Sequence, residues 1–175
     1  MQSNLEQESL KNAASKIKLL ALDVDGVLTD GRLYFSNSGE ETKAFHSLDG
    51  HGIKMLLSTG VDVGIITGRT SLLVEKRAKD LGIEIIYQGR EDKLQAINEI
   101  VADKDYPLEE VAYVGDDLPD LPAIQSVGLG FSVPNGHSDV RAAAAAVTLS
   151  AGGSGAVREI TDFIIKSQNK NDNFI

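Results

Sequence analysis

The chain of 175 residues has no cysteine, only four prolines and no long run of apolar residues. Without cysteine, a disulfide scaffold, a zinc site built from thiolates and a cysteine nucleophile are all excluded. A membrane-spanning helix needs about 18 consecutive apolar residues, and the sequence contains no such stretch. Residues 1–20 are also too polar for a secretory signal, so we expect a cytoplasmic protein.

Positive charge is scarce as well, with 17 lysines and arginines against 26 acidic residues and a formal net charge of −9. A protein that follows a nucleic-acid backbone needs a basic face, so nucleic acid is not an expected partner. The hydrophobic fraction of 42% is that of an ordinary soluble domain, and the length fits one domain. An acidic protein of this kind binds a small anion through a local cluster of cations or a metal ion.

Apolar runs of strand length alternate with segments in which apolar residues recur at helical spacing. Continuous apolar runs are typical of strands buried on both faces, so the alternation predicts an α/β fold. We expect a doubly wound, mostly parallel sheet with helices on both faces. The predicted strands are 18–25, 61–67, 83–87, 111–116 and 128–133, and the predicted helices are 52–58, 71–81, 93–102, 141–147 and 156–166.

Three segments fall outside this alternation. Two lie at the ends of the chain and leave one domain over residues 17–166, and the third is an insertion within that domain. Residues 1–16 are predicted to be a polar lead-in, and residues 167–175 a flexible tail. Residues 31–45 have two alternating arms around a glycine-containing turn, which predicts a β-hairpin over the carboxyl end of the sheet. We interpret Arg32 and Lys43 on this hairpin as solvated charges.

Ligands of open parallel sheets bind beyond the carboxyl ends of the strands, where this sequence places its polar residues. Acids gathered at close range repel one another and need a cation, and an oxygen-only set of donors favours Mg²⁺. Two acids spaced by one residue on a strand project to the same face, so one could attack phosphorus while the other transfers a proton. The residues concerned are Asp23 and Asp25 at the end of the first strand, Thr67, Gly68 and Arg69 at the end of the second, Lys93 at the start of the helix after the third, and Asp116 and Asp117 at the end of the fourth, with Asp120 a turn later.

These segments resemble the four ordered motifs of the haloacid dehalogenase-like phosphatases. Residues 23–29 match the first motif, Thr67 the second, Lys93 the third and residues 115–120 the fourth. The resemblance implies that Asp23 is the nucleophile and forms an aspartyl-phosphate, while Asp25 protonates the leaving alcohol and then activates water.

The same resemblance implies roles for the other motif residues. Mg²⁺ would be held by Asp23, by the backbone carbonyl of Asp25 and by Asp116. Asp117 or Asp120 would orient these ligands, and Thr67 and Lys93 would bind the transferring phosphoryl group.

Many of these phosphatases carry a cap domain, for which this chain has no room. More of the chain is similar to one capless family, the 3-deoxy-D-manno-octulosonate 8-phosphate phosphatases of lipopolysaccharide precursor synthesis. That resemblance implies a homotetramer in which hairpins pack together and one subunit caps its neighbour's site. It also implies that Asp49 and Gly50 line the sugar end of the pocket, and that Arg69 and Arg77 bind the substrate carboxylate. The matching segments are 25–31, 49–53, 66–69, 74–77, 87–89, 112–117 and 152–159.

Two alternatives remain open at this point. Phosphatases of nine-carbon, sialic-type sugar acid phosphates share the same motifs. A receiver-type domain regulated by phosphorylation also gathers acids at strand ends, although its phosphoacceptor lies on the third strand rather than the first. His46 and His51 are interpreted as histidines without a catalytic role, and residues 152–155 as a turn that starts the last helix.

Overall fold

The computed structural model describes residues 1–170, in which nine strands and seven α-helices alternate along the chain. The strands are β1 (Gln2–Ser3), β2 (Leu19–Leu22), β3 (Tyr34–Phe35), β4 (Glu41–Thr42), β5 (Asp62–Thr67), β6 (Ile85–Gln88), β7 (Val111–Val114), β8 (Leu129–Ser132) and β9 (Ala146–Val147). The helices are α1 (Gln7–Ala14), α2 (Ser47–Ser58), α3 (Leu72–Leu81), α4 (Lys93–Lys104), α5 (Leu121–Ser126), α6 (Ser138–Ala143) and α7 (Ala156–Ser167).

Seven of these strands form one sheet in the order β1-β9-β8-β7-β2-β5-β6. Every pairing in it is parallel except that of β1 with β9, which confirms the predicted mostly parallel α/β fold within residues 1–170. In the central register, Leu22 of β2 lies opposite Ile65 of β5 and Val114 of β7. The residues that follow these three strands therefore emerge together at one edge of the sheet.

The central strand β2 shows why its sequence is continuously apolar. Leu20 and Leu22 belong to the core that packs against α1, α2 and α7, whereas Leu19 and Ala21 belong to the core under α4 and α5. Alternate side chains of a strand point to opposite faces, and both faces are covered here. All four residues of the strand are buried.

Parts of the predicted lead-in and of the predicted tail pack onto the domain. Strand β1 pairs with β9, and α1 buries Leu10 and Ala14 against the core. Ser167 ends α7 rather than starting a tail, and the Gln168 side chain donates a hydrogen bond to the carbonyl of Ile17 at 2.7 Å. The rest of the predicted tail, residues 171–175 with its terminal Phe-Ile pair, lies outside the described residues.

The alanine-rich segment predicted as a helix over 141–147 is only partly helical. Helix α6 ends at Ala143, and the chain then enters β9, where Ala146 pairs with Phe131 of β8. Ala144 and Ala146 are both buried. Tertiary pairing at the sheet overrides the helix propensity of alanine.

The predicted hairpin is present as β3 and β4, paired antiparallel in a separate two-stranded sheet. Leu33, Tyr34 and Phe35 on its first arm are exposed. Among the helices of residues 1–170, none is long and apolar enough to cross a membrane.

Candidate active site

A cleft of about 380 Å³ opens at the carboxyl ends of β2, β5 and β7. It contains every residue that the sequence places at the strand ends, whereas Asp49, Gly50 and Arg77 are not among its lining residues. The lining residues are Asp23, Asp25, Gly31, Thr67, Gly68, Arg69, Glu91, Lys93, Asp116, Asp117, Pro119 and Asp120.

The floor of the cleft holds an ion pair between the half-buried Asp23 and the buried Lys93. The backbone N–H of Asp23 donates to the carbonyl of Val114 at 3.0 Å, which fixes this residue directly beyond β2. Lys93 begins α4, and its Nζ donates to Oδ1 of Asp23 at 2.8 Å and to the carbonyl of Ile66 at 2.9 Å. A buried ammonium needs such partners. It places positive charge where the equatorial oxygens of a transferring phosphoryl group would lie.

Three carboxylates crowd together beside this pair. Asp23, Asp116 and Asp120 each offer one oxygen, and these oxygens all lie within 4.8 Å of one another. Burial, together with the charges of neighbouring carboxylates, raises the pKa of Asp23 to about 6 and the pKa of Asp116 to about 7. Repelling oxygen donors with no sulfur or nitrogen ligand among them fit a hard cation such as Mg²⁺.

Gly26 lets the loop after β2 pack directly against one of these carboxylates. Its φ is +98°, a conformation that residues with a side chain rarely adopt. A Cβ atom at this position would lie 2.1 Å from Oδ2 of Asp116. The glycine of the first motif is therefore required by backbone geometry and by the space that Asp116 occupies.

Asp120 orients the loop that carries Asp116. The hydroxyl of Tyr113 donates to Oδ1 of Asp120 at 2.6 Å, and the backbone N–H groups of Asp116 and Asp117 donate to Oδ2 at 3.0 and 3.1 Å. With both oxygens engaged, Asp120 fits the orienting role that the sequence suggested. Sequence reasoning missed Tyr113, because a tyrosine in a buried apolar strand looks like any core aromatic residue.

Asp25 lies in a network of charges that involves the hairpin. Lys43 contacts its Oδ1, and Nε of Arg69 lies 3.6 Å from its Oδ2. Glu41 of β4 accepts a hydrogen bond from Nη2 of Arg69 at 2.7 Å. The interpretation of Lys43 as a solvated charge is wrong, because the hairpin folds back over the cleft and leaves this side chain only 3% exposed. The alternating pattern of the hairpin sequence does not show which of the two arms lies beside Asp25.

In the single chain, Asp49 and Gly50 lie at a junction of helices and not among the residues that line the cleft. Helix α2 begins at Ser47, earlier than predicted, so Asp49 sits in its first turn and faces α7. There its buried carboxylate accepts the backbone N–H of Arg158 at 2.8 Å, and burial raises its pKa. A Cβ on Gly50 would lie 2.4 Å from Nη2 of Arg77.

Arg77 is likewise outside the cleft of its own chain. Its Nη2 donates to the carbonyl of His46 at 3.2 Å, and its guanidinium lies over the ring of Phe45 at 5.6 Å from the centroid. His46 caps α2, with Nδ1 accepting the backbone N–H of Leu48 at 3.2 Å. This histidine has a structural partner, and His51 is exposed.

The helix junction predicts that Asp49 contributes to stability. In Asp49→Ala, the N–H groups at the start of α7 lose a buried acceptor, so we expect the free energy of unfolding to fall by about 1–3 kcal/mol. Denaturant titration measures this loss, and Asp49→Asn, which keeps an acceptor oxygen, should retain most of the stability. A raised KM in Asp49→Ala with an unchanged free energy of unfolding would instead indicate that Asp49 contacts the substrate.

Replacing one acid of the carboxylate cluster is expected to stabilise the protein without Mg²⁺ and to remove its stabilisation by Mg²⁺. With a chelator at pH 8, we expect Asp116→Asn to melt a few degrees above the parent protein, because one of the repelling charges is gone. The pKa of Asp116 is raised from its ordinary value of 3.8 to about 7 in the folded protein, so its ionisation lowers stability progressively as pH rises between these two values. The advantage of the variant should therefore shrink at pH 5.

Added Mg²⁺ should raise the melting temperature of the parent protein and leave that of Asp116→Asn nearly unchanged. Differential scanning fluorimetry with and without chelator measures all of these shifts. A variant that melts lower than the parent in chelator and still gains stability from Mg²⁺ would contradict a metal site at this cluster.

Comparison with known proteins gives consistent matches. The family of haloacid dehalogenase-like hydrolases matches residues 82–160. The 3-deoxy-D-manno-octulosonate 8-phosphate phosphatase KdsC of Yersinia pestis is 48% identical over 157 residues, which make up 90% of this chain and 84% of that protein.

Two solved structures of similar phosphatases superpose over nearly the whole chain. The 3-deoxy-D-manno-octulosonate 8-phosphate phosphatase of Moraxella catarrhalis, in complex with magnesium, phosphate and KDO, is 46% identical with a TM-score of 0.95 over 97% of both chains. The cobalt-bound phosphatase YrbI of Haemophilus influenzae is 39% identical with a TM-score of 0.89, over 93% of this chain and 95% of that one.

Proposed function

Since the chain belongs to the 3-deoxy-D-manno-octulosonate 8-phosphate phosphatases, a family of haloacid dehalogenase-like hydrolases, we propose that it hydrolyses this sugar acid phosphate to the free sugar acid and phosphate. The observation that carries the proposal is the half-buried Asp23 held by Lys93 beside two further carboxylates, in a cleft open to solvent. The proposed reaction supplies a precursor of lipopolysaccharide, and we place it in the cytoplasm.

The reaction proceeds in two steps on the chain's own carboxyl groups. In the first, a carboxylate oxygen of Asp23 attacks phosphorus, the bond from phosphorus to the sugar oxygen breaks, and Asp25 gives its proton to that oxygen. In the second, Asp25 takes a proton from a water molecule whose oxygen attacks the aspartyl-phosphate. Phosphate then leaves, and Asp23 is again a free carboxylate.

The surrounding residues stabilise the charge that the phosphoryl group carries during both steps. Lys93 and Thr67 hold its oxygens, and Gly68 lines the cleft beside Thr67. Asp23, the backbone carbonyl of Asp25 and Asp116 would hold Mg²⁺, with Asp117 and Asp120 orienting them. When bound, the ion supplies positive charge that offsets the negative charge of the phosphoryl oxygens.

The sugar acid end of the substrate lies toward the mouth of the cleft. Arg69 stands there with its side chain 44% exposed, and its guanidinium can bind a carboxylate through two hydrogen bonds. Arg77, Asp49 and Gly50 are turned away in a single chain, so a direct role for them would require a change in this region or a neighbouring subunit.

The exposed hairpin supports the homotetramer. A lone two-stranded hairpin is marginally stable, and its apolar Leu33 and Phe35 face solvent in the single chain. Packing the hairpins of several subunits together would bury these side chains and bring one subunit to the mouth of its neighbour's cleft.

Replacing the apolar hairpin residues tests this assembly. We expect Leu33→Glu/Phe35→Glu to shift the mass measured by light scattering from tetramer to smaller species and to lower kcat/KM about tenfold or more. Leu5→Glu, at an exposed leucine far from the hairpin in sequence, is the matched control. A fully active monomer of the parent protein at assay concentration would refute the assembly.

Phosphate release from a panel of sugar phosphates tests the proposed function. With Mg²⁺, we expect the highest kcat/KM for 3-deoxy-D-manno-octulosonate 8-phosphate, and no turnover in excess chelator. If kcat/KM is highest for a nine-carbon sugar acid phosphate, the proposed chemistry stands but the proposed substrate is wrong. A stable phosphoprotein without turnover would indicate a receiver-type domain and contradict the proposal.

A further inference from the structure

We propose that Lys43 of the hairpin is a positioning residue for Asp25, holding the proposed general acid at the edge of the cleft; this inference rests on the proposed function. Its Nζ contacts Oδ1 of Asp25 and lies 3.5 Å from Oε1 of Glu41. The hairpin therefore supplies a charged partner to Asp25, a residue that lines the catalytic cleft of the same chain, in addition to any role in assembly.

The burial of Lys43 indicates a specific role. An ammonium removed from water loses several kcal/mol of hydration, and only well-placed charged partners offset that cost. The side chain of Lys43 is only 3% exposed, as is that of Lys93, although Lys43 lies on an otherwise exposed hairpin. Both acids of the first motif thus pair with a lysine: Asp23 with Lys93 of the core, and Asp25 with Lys43 of the hairpin.

Asp25 depends on this contact for its orientation. It lies in the loop beyond the end of β2, and within residues 1–170 Lys43 donates the one hydrogen bond to its carboxylate. The nearest other cation, Nε of the half-exposed Arg69, is 3.6 Å away. A general acid must lie within hydrogen-bonding reach of the leaving oxygen, and small displacements cost large factors in rate.

Glu41 completes the arrangement by fixing the hairpin beside the loop that follows β5. Its carboxylate accepts from Arg69 and, at 3.1 Å, from Oγ of Ser71, the residue that caps α3. These bonds hold the arm that carries Lys43 against the cleft. Lys43 then reaches Asp25 from a fixed point, as a positioning residue requires.

The leaving group of the substrate distinguishes positioning of the acid from a general structural role. An alkyl oxygen needs a proton as it leaves, whereas p-nitrophenolate leaves without one. In Lys43→Met, we expect leaving-group release in the first turnover to slow about 10²-fold with the sugar phosphate and less than threefold with p-nitrophenyl phosphate. Lys43→Arg should restore most of the rate, and Arg32→Met, which removes an exposed charge of the same hairpin, should match the parent protein.

Three further measurements complete the test. Mg²⁺ affinity by calorimetry and the mass by light scattering should be unchanged in Lys43→Met, and Lys43→Met/Asp25→Asn should be no slower than Asp25→Asn alone. Equal slowing with both substrates, or additive losses in the double variant, would overturn the proposal. If the parent protein rejects every sugar acid phosphate, the proposed function fails, and glycerol 1-phosphate as the alkyl ester still tests Lys43.

Discussion

Asp23→Asn is expected to lower phosphate release by about 10⁴-fold or more, because removing a catalytic nucleophile typically has effects of this size. A carboxamide is a poor nucleophile and a poor ligand for Mg²⁺, so the substitution removes two functions at once. It also leaves Lys93 with the carbonyl of Ile66 and with Asp120, whose Oδ1 is 3.7 Å away. Steady-state phosphate release measures the loss.

The fold should survive this substitution. Burial raises the pKa of Asp23, so its charged form costs stability in the metal-free protein, and a neutral side chain avoids that cost. Circular dichroism should be unchanged, and Asp103→Asn, the same replacement on an exposed part of α4, should keep full activity. Activity of Asp23→Asn near that of the parent protein would eliminate Asp23 as the nucleophile.

Asp25→Asn is expected to lower kcat about 10²- to 10⁴-fold, the usual contribution of a positioned general acid and base. The amide can neither give a proton to the sugar oxygen nor take one from water. Mg²⁺ affinity should remain close to that of the parent protein, since the proposed metal contact of this residue is its backbone carbonyl. Stopped-flow kinetics together with calorimetry separates the two effects.

The leaving group again supplies the internal control. With p-nitrophenyl phosphate, Asp25→Asn should still release p-nitrophenol in a first turnover and then stall, because the second step lacks its base. A variant that loses Mg²⁺ affinity and turnover together would instead place the Asp25 carboxylate on the metal.

The cleft could be predicted from the sequence where its residues follow buried strands. The apolar run of β2 determines that both its faces are covered, and parallel register then brings Asp23, Thr67 and Asp116 to one edge. This reasoning uses only local pattern and the geometry of a parallel sheet, which is why it succeeds.

The parts that sequence reasoning missed depend on contacts between distant segments. Nothing in the hairpin pattern shows that Lys43 reaches Asp25, since the fold of the hairpin over the cleft is a tertiary event. The start of α2 went unrecognised because His46 is an unusual helix cap, so the first turn that carries Asp49 was not predicted as helical. Strand β9 was hidden in an alanine run whose partner, β8, is set by sheet pairing rather than by local propensity.

The most direct test of the account is to find the phosphoryl group during turnover. The parent protein, mixed with Mg²⁺ and 3-deoxy-D-manno-octulosonate 8-phosphate and quenched in acid within the first turnover, is digested and its peptides are weighed by mass spectrometry. We expect a phosphoryl group on the peptide that contains Asp23, and none on that peptide in Asp23→Asn. Complete turnover in the parent protein with no phosphoryl group at Asp23 at any quench time would contradict the account.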